Sequence, residues 1–384
     1  MKKIAFYLSS NGFGGVEKVS ITYIEKLCEY YDVTLIFDDE VEIGNENADF
    51  KKLKVSGMFF LKSKAISKLS LLSKSKLNFP KKIILMFIRY LIDLYVGAFK
   101  IGKIKHDFDV IIYGYQLLPI HLASKCNGKK ILFFHNSIQS LDSGVRRFLG
   151  RIIEKRFSHF DSIIFPLGCS KLDFEKRYPK NNANLVVIPN PFEVVSNNIS
   201  ESVKPSESEY YVSCGRLDES NKDFETLIRA YADSDSQFPL YIIGDGPSRL
   251  FLTKLAYELK CSQRVKFLGF IQDPSKIISD SRAFILSSKS EGFGMVLIEA
   301  MSHHIPVISS DCPVGPREIL KNGEFGTLFP VGDINTLSKI IKELDNERDF
   351  RFAATFAAYD SLSRYRLDYS FESLQELIYE KSCV

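Results

Sequence analysis

No Cys-x-x-Cys pair occurs among the seven cysteines, at positions 28, 126, 169, 214, 261, 312 and 383. An odd, scattered set indicates neither a zinc site nor a disulfide framework and points to a reducing compartment. None of the six histidines stands in a His-Glu-x-x-His spacing, and the adjacent pair His303-His304 would be splayed apart on a helix. A dinucleotide fingerprint is missing too, because the first glycine loop reads Gly-x-Gly-Gly over Gly12 to Gly15. The opening apolar run, Ile4 to Leu8, stops at Ser9, too short for the apolar region of a secretory signal, and reads as a strand. The longest apolar stretch, Ile83 to Phe99, is 17 residues with Arg89 and Asp93 inside it. A bilayer span needs about 20, so a core or membrane-surface helix fits better than a span. No repeat or low-complexity tract is present.

What the chain does have is length and alternation. With 384 residues, 45% hydrophobic and 26% charged, it exceeds one ordinary core and suggests two folded domains. Strand-like runs are expected at Lys3–Ser9, Val33–Phe37, Val110–Tyr113, Lys130–His135, Ser162–Leu167 and Leu185–Pro189. Helical patterns lie between them at Glu17–Tyr30, Arg146–Phe157 and Ser170–Tyr178. A polar stretch from Asn190 to Glu209 reads as a linker. The alternation then restarts, with strands at Tyr210–Cys214, Leu240–Ile243, Val265–Leu268, Ala283–Ser287 and Pro306–Ser309. Helices are expected at Phe224–Ala232, Ser248–Leu259, Pro274–Asp280, Met295–His303 and Ile334–Leu344, and a helical tail from about Phe350. Such alternation implies α/β domains with parallel sheets, whose ligands sit beyond the carboxyl ends of the strands.

Several loops at those strand ends carry candidate chemistry. Glu291-Gly-Phe-Gly294 is a glycine turn feeding a helix that begins Met295-Val296 and contains Glu299. Backbone N–H groups and a positive dipole at a helix start suit a phosphate. Carboxylates beside a phosphate would repel it, so Glu291 and Glu299 fit sugar hydroxyls better. Phosphate and hydroxyls together point to a nucleotide-sugar. Cys214-Gly-Arg-Leu-Asp-Glu-Ser-Asn-Lys222 supplies Arg216 and Lys222, a guanidinium fork and a point charge suited to a diphosphate. Gly14 and Gly15 let backbone approach an anion at a helix start, or simply serve a tight turn. Gly244-Asp-Gly246-Pro is a turn signature first, with Gly246 at the same sheet edge. His135 closes a strand of the first domain, where a lone histidine serves either structure or chemistry.

Together, Gly14-Gly-Val-Glu17, Gly215-Arg-Leu with Lys222, Gly244-Asp-Gly-Pro247, Phe267-Leu-Gly-Phe270 and Glu291-Gly-Phe-Gly…Glu299-Ala-Met with Pro306-Val-Ile resemble glycosyltransferase family 4. The resemblance spans both domains, is strongest from Tyr211 to Pro330, and extends through Asp311-Cys-Pro-Val-Gly-Pro-Arg-Glu318 to bacterial enzymes that build surface polysaccharides. It implies a GT-B fold, two Rossmann-like domains facing a central cleft. Residues 1–190 would be the acceptor-binding domain, 191–350 the nucleotide-sugar domain, and 351–384 a helical tail crossing back to the first.

The resemblance further implies a retaining transfer of a hexose or N-acetylhexosamine, from a UDP-linked donor to a lipid-linked glycan. O-antigen, capsule or exopolysaccharide synthesis on the cytoplasmic face of the cell membrane would be the setting. Glu291 would hold the donor sugar and Glu299 the ribose. Arg216 and Lys222 would neutralise the diphosphate, with amides of Gly292, Phe293, Gly294 and Met295 and of the Gly14-Gly15 loop. Val296 would line the same donor pocket, and His135 would stand near the C6 side of the sugar. No metal or other cofactor is expected, the basic pair and helix dipole taking that part, and no protein nucleophile is named. A nucleotide-sugar epimerase on the same fold, which needs no acceptor, is the alternative enzyme.

Charge is distributed unevenly. Residues 51–105 hold fourteen Lys/Arg against one acid, Asp93, a net +13; with +4 for the whole chain, the rest carries −9. Lys62, Lys64, Lys68, Lys74 and Lys76 are interleaved with Phe59, Phe60, Leu61, Ile66, Leu69, Leu71 and Leu72. Basic side chains beside apolar ones suit an anionic membrane, each near-surface charge contributing about 1 kcal/mol. A nucleic-acid scaffold would also use a basic segment, but the set of diphosphate elements counts against it, and no nucleic acid is expected as partner. The protein is expected to sediment with anionic vesicles and to be released by high salt. Equal binding to neutral vesicles, or no binding to either kind, excludes docking on an anionic membrane through the basic segment.

Overall fold

A computed structural model describes residues 1–8, 15–39, 53–62, 108–114, 128–135, 157–193, 210–346 and 352–380. Two compact units emerge, Met1–Pro191 with Asp368–Val384, and Phe192–Leu367. Gly14, most of the basic segment 51–105, the expected helix before Phe157 and the linker from residue 194 to 209 lie outside the described residues. Among the described residues no helix is long and apolar enough to cross a membrane.

The first unit is built on β1 (Lys3–Leu8), β2 (Asp32–Asp39), β3 (Gly57–Lys62), β4 (Val110–Tyr113), β5 (Lys129–Phe133), β6 (Ser162–Phe165) and β7 (Asn184–Val187). They form one parallel sheet in the order β3-β2-β1-β4-β5-β6-β7. Central strands covered on both faces must be apolar throughout. Ile4 to Leu8 and Val110 to Tyr113 accordingly bury every side chain. Helix α1 (Gly15–Cys28) buries Val19, Ile21, Tyr23, Ile24 and Leu27, spaced to give one apolar face. Helix α2 (Gly168–Arg177) sets Phe174 edge-on to Phe134 and Phe157, with ring centroids 5.5 and 4.9 Å apart.

The second unit repeats the plan with β8 (Tyr211–Cys214), β9 (Leu240–Ile243), β10 (Val265–Gly269), β11 (Ala283–Leu286), β12 (Val307–Ser310) and β13 (Thr327–Phe329). Their order is β10-β9-β8-β11-β12-β13, again parallel throughout. Its helices are α3 (Phe224–Ser234), α4 (Arg249–Glu258), α5 (Ser275–Ser279), α6 (Met295–Ser302), α7 (Pro316–Ile319), α8 (Ile334–Asn346) and α9 (Phe352–Asp360). Along α8, Leu337, Ile340, Ile341 and Leu344 face the core. Arg282 donates to the Leu344 carbonyl at 2.6 Å, a cation closing the helix's negative end. The Tyr211 hydroxyl bonds the Asp345 carboxylate, tying the same end to β8.

Helix α10 (Leu367–Tyr379) carries the chain into the first unit, where the Ser370 hydroxyl donates to the Pro189 carbonyl at 2.9 Å. The chain enters and leaves the second unit at neighbouring points, for Phe192 N–H donates to the Tyr365 carbonyl at 2.8 Å. The division by contacts thus falls at Leu367/Asp368 rather than after residue 350. Helix α9 is part of the second unit, where Tyr359 stacks on His304 at 4.2 Å.

Where expected elements are described, their ends agree with the observed ones to within two residues. Strands β3 and β13 and the short α7 were not expected. Within the basic segment 51–105, Met58 to Lys62 pairs with β2, with Phe59 opposite Ile36 and Phe60 opposite Phe37.

His135 follows β5 and is buried, its ring stacked on Phe133 at 5.6 Å. Burial lowers its pKa from 6.5 to about 4, so the imidazole is neutral at neutral pH. Between those values the unfolded chain binds a proton that the folded one refuses. Its contribution to stability is therefore complete above pH 6.5 and is lost as pH falls towards 4. In urea titrations, His135→Gln should lose about 2 kcal/mol less than the native protein between about pH 7.5 and pH 5. Identical losses would show that His135 does not titrate this way.

Candidate active site

In the second sheet the strand order reverses between β8 and β11, which are neighbours although β9 and β10 separate them in sequence. Loops leaving a parallel sheet on either side of such a reversal diverge and open a crevice beyond the carboxyl ends. Here those loops are Gly215 to Asp223 after β8 and Ser287 to Gly294 after β11. They bring Lys222 and Glu291 together, with Nζ 2.5 Å from Oε1. The Glu291 side chain is 9% exposed and that of Lys222 23%, so the pair is partly removed from water.

Bonds from the second loop to the first hold this meeting point in place. Lys289 N–H donates to the Asn221 carbonyl at 2.7 Å, and Ser287 Oγ to the Lys222 carbonyl at 3.1 Å. Lys289 Nζ lies 3.1 Å from Asp223 Oδ1, whose side chain is 3% exposed. Ser288 Oγ donates to Glu291 Oε1 at 2.5 Å, and Ser310 Oγ at the end of β12 donates to the Ser288 carbonyl at 2.6 Å. Glu219 accepts the N–H groups of Phe224 and Glu225, each at 3.0 Å, and caps the start of α3. Ser288, Lys289 and Asp223 were not singled out in the sequence. The Lys289–Asp223 bond runs between loops and leaves no fixed spacing to read, while Ser288 bonds Glu291 three residues on within its own loop.

Glycine lets backbones close in around the site. A Cβ at Gly244 would lie 1.9 Å from the Gly215 carbonyl oxygen, with φ at +130°. Gly246 packs on the backbone of Leu217, where a Cβ would come within 2.5 Å of the carbonyl oxygen. Both positions need glycine for packing of the β9 loop on the β8 loop, apart from any ligand.

Helix α6 starts behind Glu291. Gly294, with φ at 107°, is its N-cap and supplies no side-chain cap, so the first amides of the helix keep their donors. Met295 and Val296 form its first turn and Glu299 its second, all half-buried. Gly292 is half-buried just ahead of the helix. The Phe293 ring is buried and edge-on to Tyr365 at 5.6 Å, leaving its backbone as the part able to meet a ligand. A Cβ at Gly315 would fall 2.2 Å from the Phe293 carbonyl oxygen.

Arg216 is exposed and, among the described residues, its guanidinium has no hydrogen bond or ion pair; its charge is felt by Asp218, whose carboxyl is held low chiefly by Ser220. Burial, and next the Glu291 carboxylate, push the Cys312 thiol up to about 12, which makes it a neutral neighbour rather than a nucleophile.

Arg216, Lys222, Glu291, Gly292 to Val296 and Glu299 therefore share one edge of the second sheet. Gly15, the first residue of α1, and His135, just beyond β5, stand at the carboxyl ends of first-unit strands. Among the described residues no group of three or more His, Cys, Asp or Glu is arranged to hold a metal ion. Two Asp-x-Asp tripeptides occur, at Asp107-Phe-Asp109 and Asp233-Ser-Asp235. Asp109 precedes β4 and accepts the Lys3 N–H, while Asp233 and Asp235 close α3, so these three aspartates lie at the amino ends of the sheets.

Residues 195–359 match the family model described as glycosyl transferases group 1. An uncharacterized glycosyltransferase of Methanocaldococcus jannaschii is 30% identical over 58% of this chain, which spans 61% of that protein. The lipopolysaccharide 1,6-galactosyltransferase of Salmonella typhimurium is 28% identical over 87% of both chains. The N-acetylgalactosamine-N,N'-diacetylbacillosaminyl-diphospho-undecaprenol 4-alpha-N-acetylgalactosaminyltransferase of Campylobacter jejuni is 25% identical over 92% of this chain and 93% of its own. The crystal structure of Anabaena Alr3699/HepE with UDP and glucose superposes with a TM-score of 0.75, at 18% identity, over 98% of this chain and 99% of that one. The architecture of two parallel-sheet domains is GT-B. With a glycosyl transferases group 1 domain over residues 195–359 on that architecture, the chain is a glycosyltransferase.

Proposed function

We propose that this glycosyltransferase moves a hexose or N-acetylhexosamine from a UDP-linked donor to a hydroxyl of a lipid-linked glycan, with retention at the anomeric carbon. The observation that carries the reading is the pairing of Lys222 with Glu291 at the strand reversal, ahead of the α6 amino end. A cation, a carboxylate and free helix amides side by side suit a substrate that is phosphate at one end and polyol at the other. Relatives named for lipopolysaccharide and diphospho-undecaprenol substrates support a lipid-linked acceptor, and a structural neighbour that binds UDP supports the nucleotide.

In this mechanism Arg216 and Lys222 receive the diphosphate, with the amides of Gly292 to Met295 and the Gly14-Gly15 loop adding donors. Glu291 accepts a hydrogen bond from the donor sugar and Glu299 from the ribose. His135, neutral at working pH, serves the C6 side of the sugar. Gly246 and Val296 shape the pocket wall. The bond from the anomeric carbon to the diphosphate breaks as the cations take up its charge. The acceptor hydroxyl forms the new bond on the face the diphosphate leaves, and its proton passes to a phosphate oxygen of the leaving group. No step requires a metal or a protein nucleophile. Synthesis of a bacterial surface polysaccharide at the inner face of the cell membrane is the setting these substrates imply.

A panel of UDP- and GDP-sugars, scored by nucleotide release with and without lipid-linked glycan, tests this reading. Release should depend on acceptor for at least one UDP-sugar; acceptor-independent epimerisation would contradict it. Glu291→Ala and Lys222→Ala should each cut transfer about a hundredfold or more while the circular dichroism spectrum is kept. Near-normal turnover in both would remove the site assignment.

A further inference from the structure

Glu291 Oε1 already has two donors, for Lys222 Nζ and Ser288 Oγ both reach it at 2.5 Å. Among the described residues Oε2 accepts no hydrogen bond. The two donors differ in kind. Lys222 is a partly exposed ammonium on a flexible stem, and under the proposed function it must also serve the diphosphate. Ser288 is fully buried, and its backbone is pinned by the bond from Ser310, itself fully buried at the end of β12. Its neighbours pin it further, Ser287 to the Lys222 carbonyl and Lys289 to the Asn221 carbonyl. The hydroxyl thus sits on sheet-anchored backbone, a more rigid mount than the lysine stem.

We infer that Ser288 is a positioning residue: it holds Glu291 by Oε1 so that Oε2 faces the donor sugar, leaving Lys222 free to engage the diphosphate. A carboxylate tethered only by Lys222 would swing when that cation turned to phosphate oxygens. With Ser288 in place, one oxygen stays fixed and the other keeps a single direction from which to accept a sugar hydroxyl. Ser288 therefore acts on the sugar through Glu291 and has no part in binding the nucleotide. This inference rests on the donor-site reading above.

The test is a double-mutant cycle with the full chain: native, Ser288→Ala, Glu291→Ala and the pair. UDP-galactose and UDP-glucose serve as sugar probes and UDP as the sugarless reference, with transfer to lipid-linked glycan followed using radiolabelled donor. Ser288→Ala should lower kcat/KM about ten- to hundredfold, as expected for loss of a hydrogen bond to a charged group. Its affinity for UDP should stay within about twofold of native. In the Glu291→Ala background the same change should cost nothing further. Native kcat/KM in Ser288→Ala, a parallel fall in UDP affinity, or an equal loss in the absence of Glu291 would each overturn the inference. Ser288→Cys, which keeps the size of the side chain and a weak donor, covers the case in which the alanine variant melts early. A smaller loss of the same sign is expected from it, and native turnover would again overturn the role. Native turnover in Glu291→Ala would instead bring down the donor-site reading itself. A slow Glu291→Ala with a normal Ser288→Ala would remove only the positioning role.

Discussion

The site depends on one ion pair. Lys222 and Glu291 stand 69 positions apart in sequence, yet their charged atoms meet at 2.5 Å. Partly desolvated charges lose hydration, and their attraction makes up the loss only when both are held in good geometry. Neither loop could do that alone. The reversal of strand order places β8 beside β11, so two loops that start from one sheet edge arrive together. The bonds from Ser287 to the Lys222 carbonyl and from Lys289 to the Asn221 carbonyl then join the loops, and Ser288 and Ser310 steady the carboxylate's side. Glycine at 244 and 315 follows from the same demand. A side chain at either would push a neighbouring carbonyl away and move the loops that carry the pair.

Much of this could be read from the sequence because strands and loops leave different traces. Buried parallel strands must be apolar along their whole length, so runs such as Val110 to Tyr113 and Ala283 to Leu286 declare themselves. Glycine before a helix and an acid at a set interval are also local patterns, and they mark Glu291, Gly294 and Glu299. Strand β3 escaped because its apolar residues are embedded among lysines, and pairing with β2 is a non-local fact. Strand β13 is three residues long, too short for a period to register. Ser288, Lys289 and Asp223 escaped for other reasons. Lys289 and Asp223 act by a bond between loops that the sequence does not place side by side, while the bond from Ser288 to Glu291 is local but follows no pattern of residue types that marks it out. Gly246 shows the converse, since its strand-end position suggested a ligand while its contact with Leu217 already accounts for the glycine.

The two sheets also place different kinds of chemistry at their carboxyl ends. The second unit gathers charge, in Arg216, Lys222, Glu291 and Glu299. The first unit offers His135, which burial keeps uncharged, and a glycine at the start of α1. A neutral imidazole can donate and accept hydrogen bonds without repelling a cation, which suits it to a polyol more than to a phosphate.

The hydrogen bond from Phe192 to Tyr365 has a consequence for how such a protein can change. It fastens the entry of the second unit to its exit, so residues 192–367 form a loop of chain closed at its base. A segment of that kind behaves as an insertion: its ends are already aligned, and the sheet of the host is uninterrupted by it. Recombination at two points can exchange the whole block for a homologous one, without redrawing either sheet. The Phe293–Tyr365 contact lies within the exchanged block, so the turn bearing Glu291 would travel with the backbone that closes it. Ancestry can thus differ between the two halves of one enzyme, and the seam would lie at this hydrogen bond.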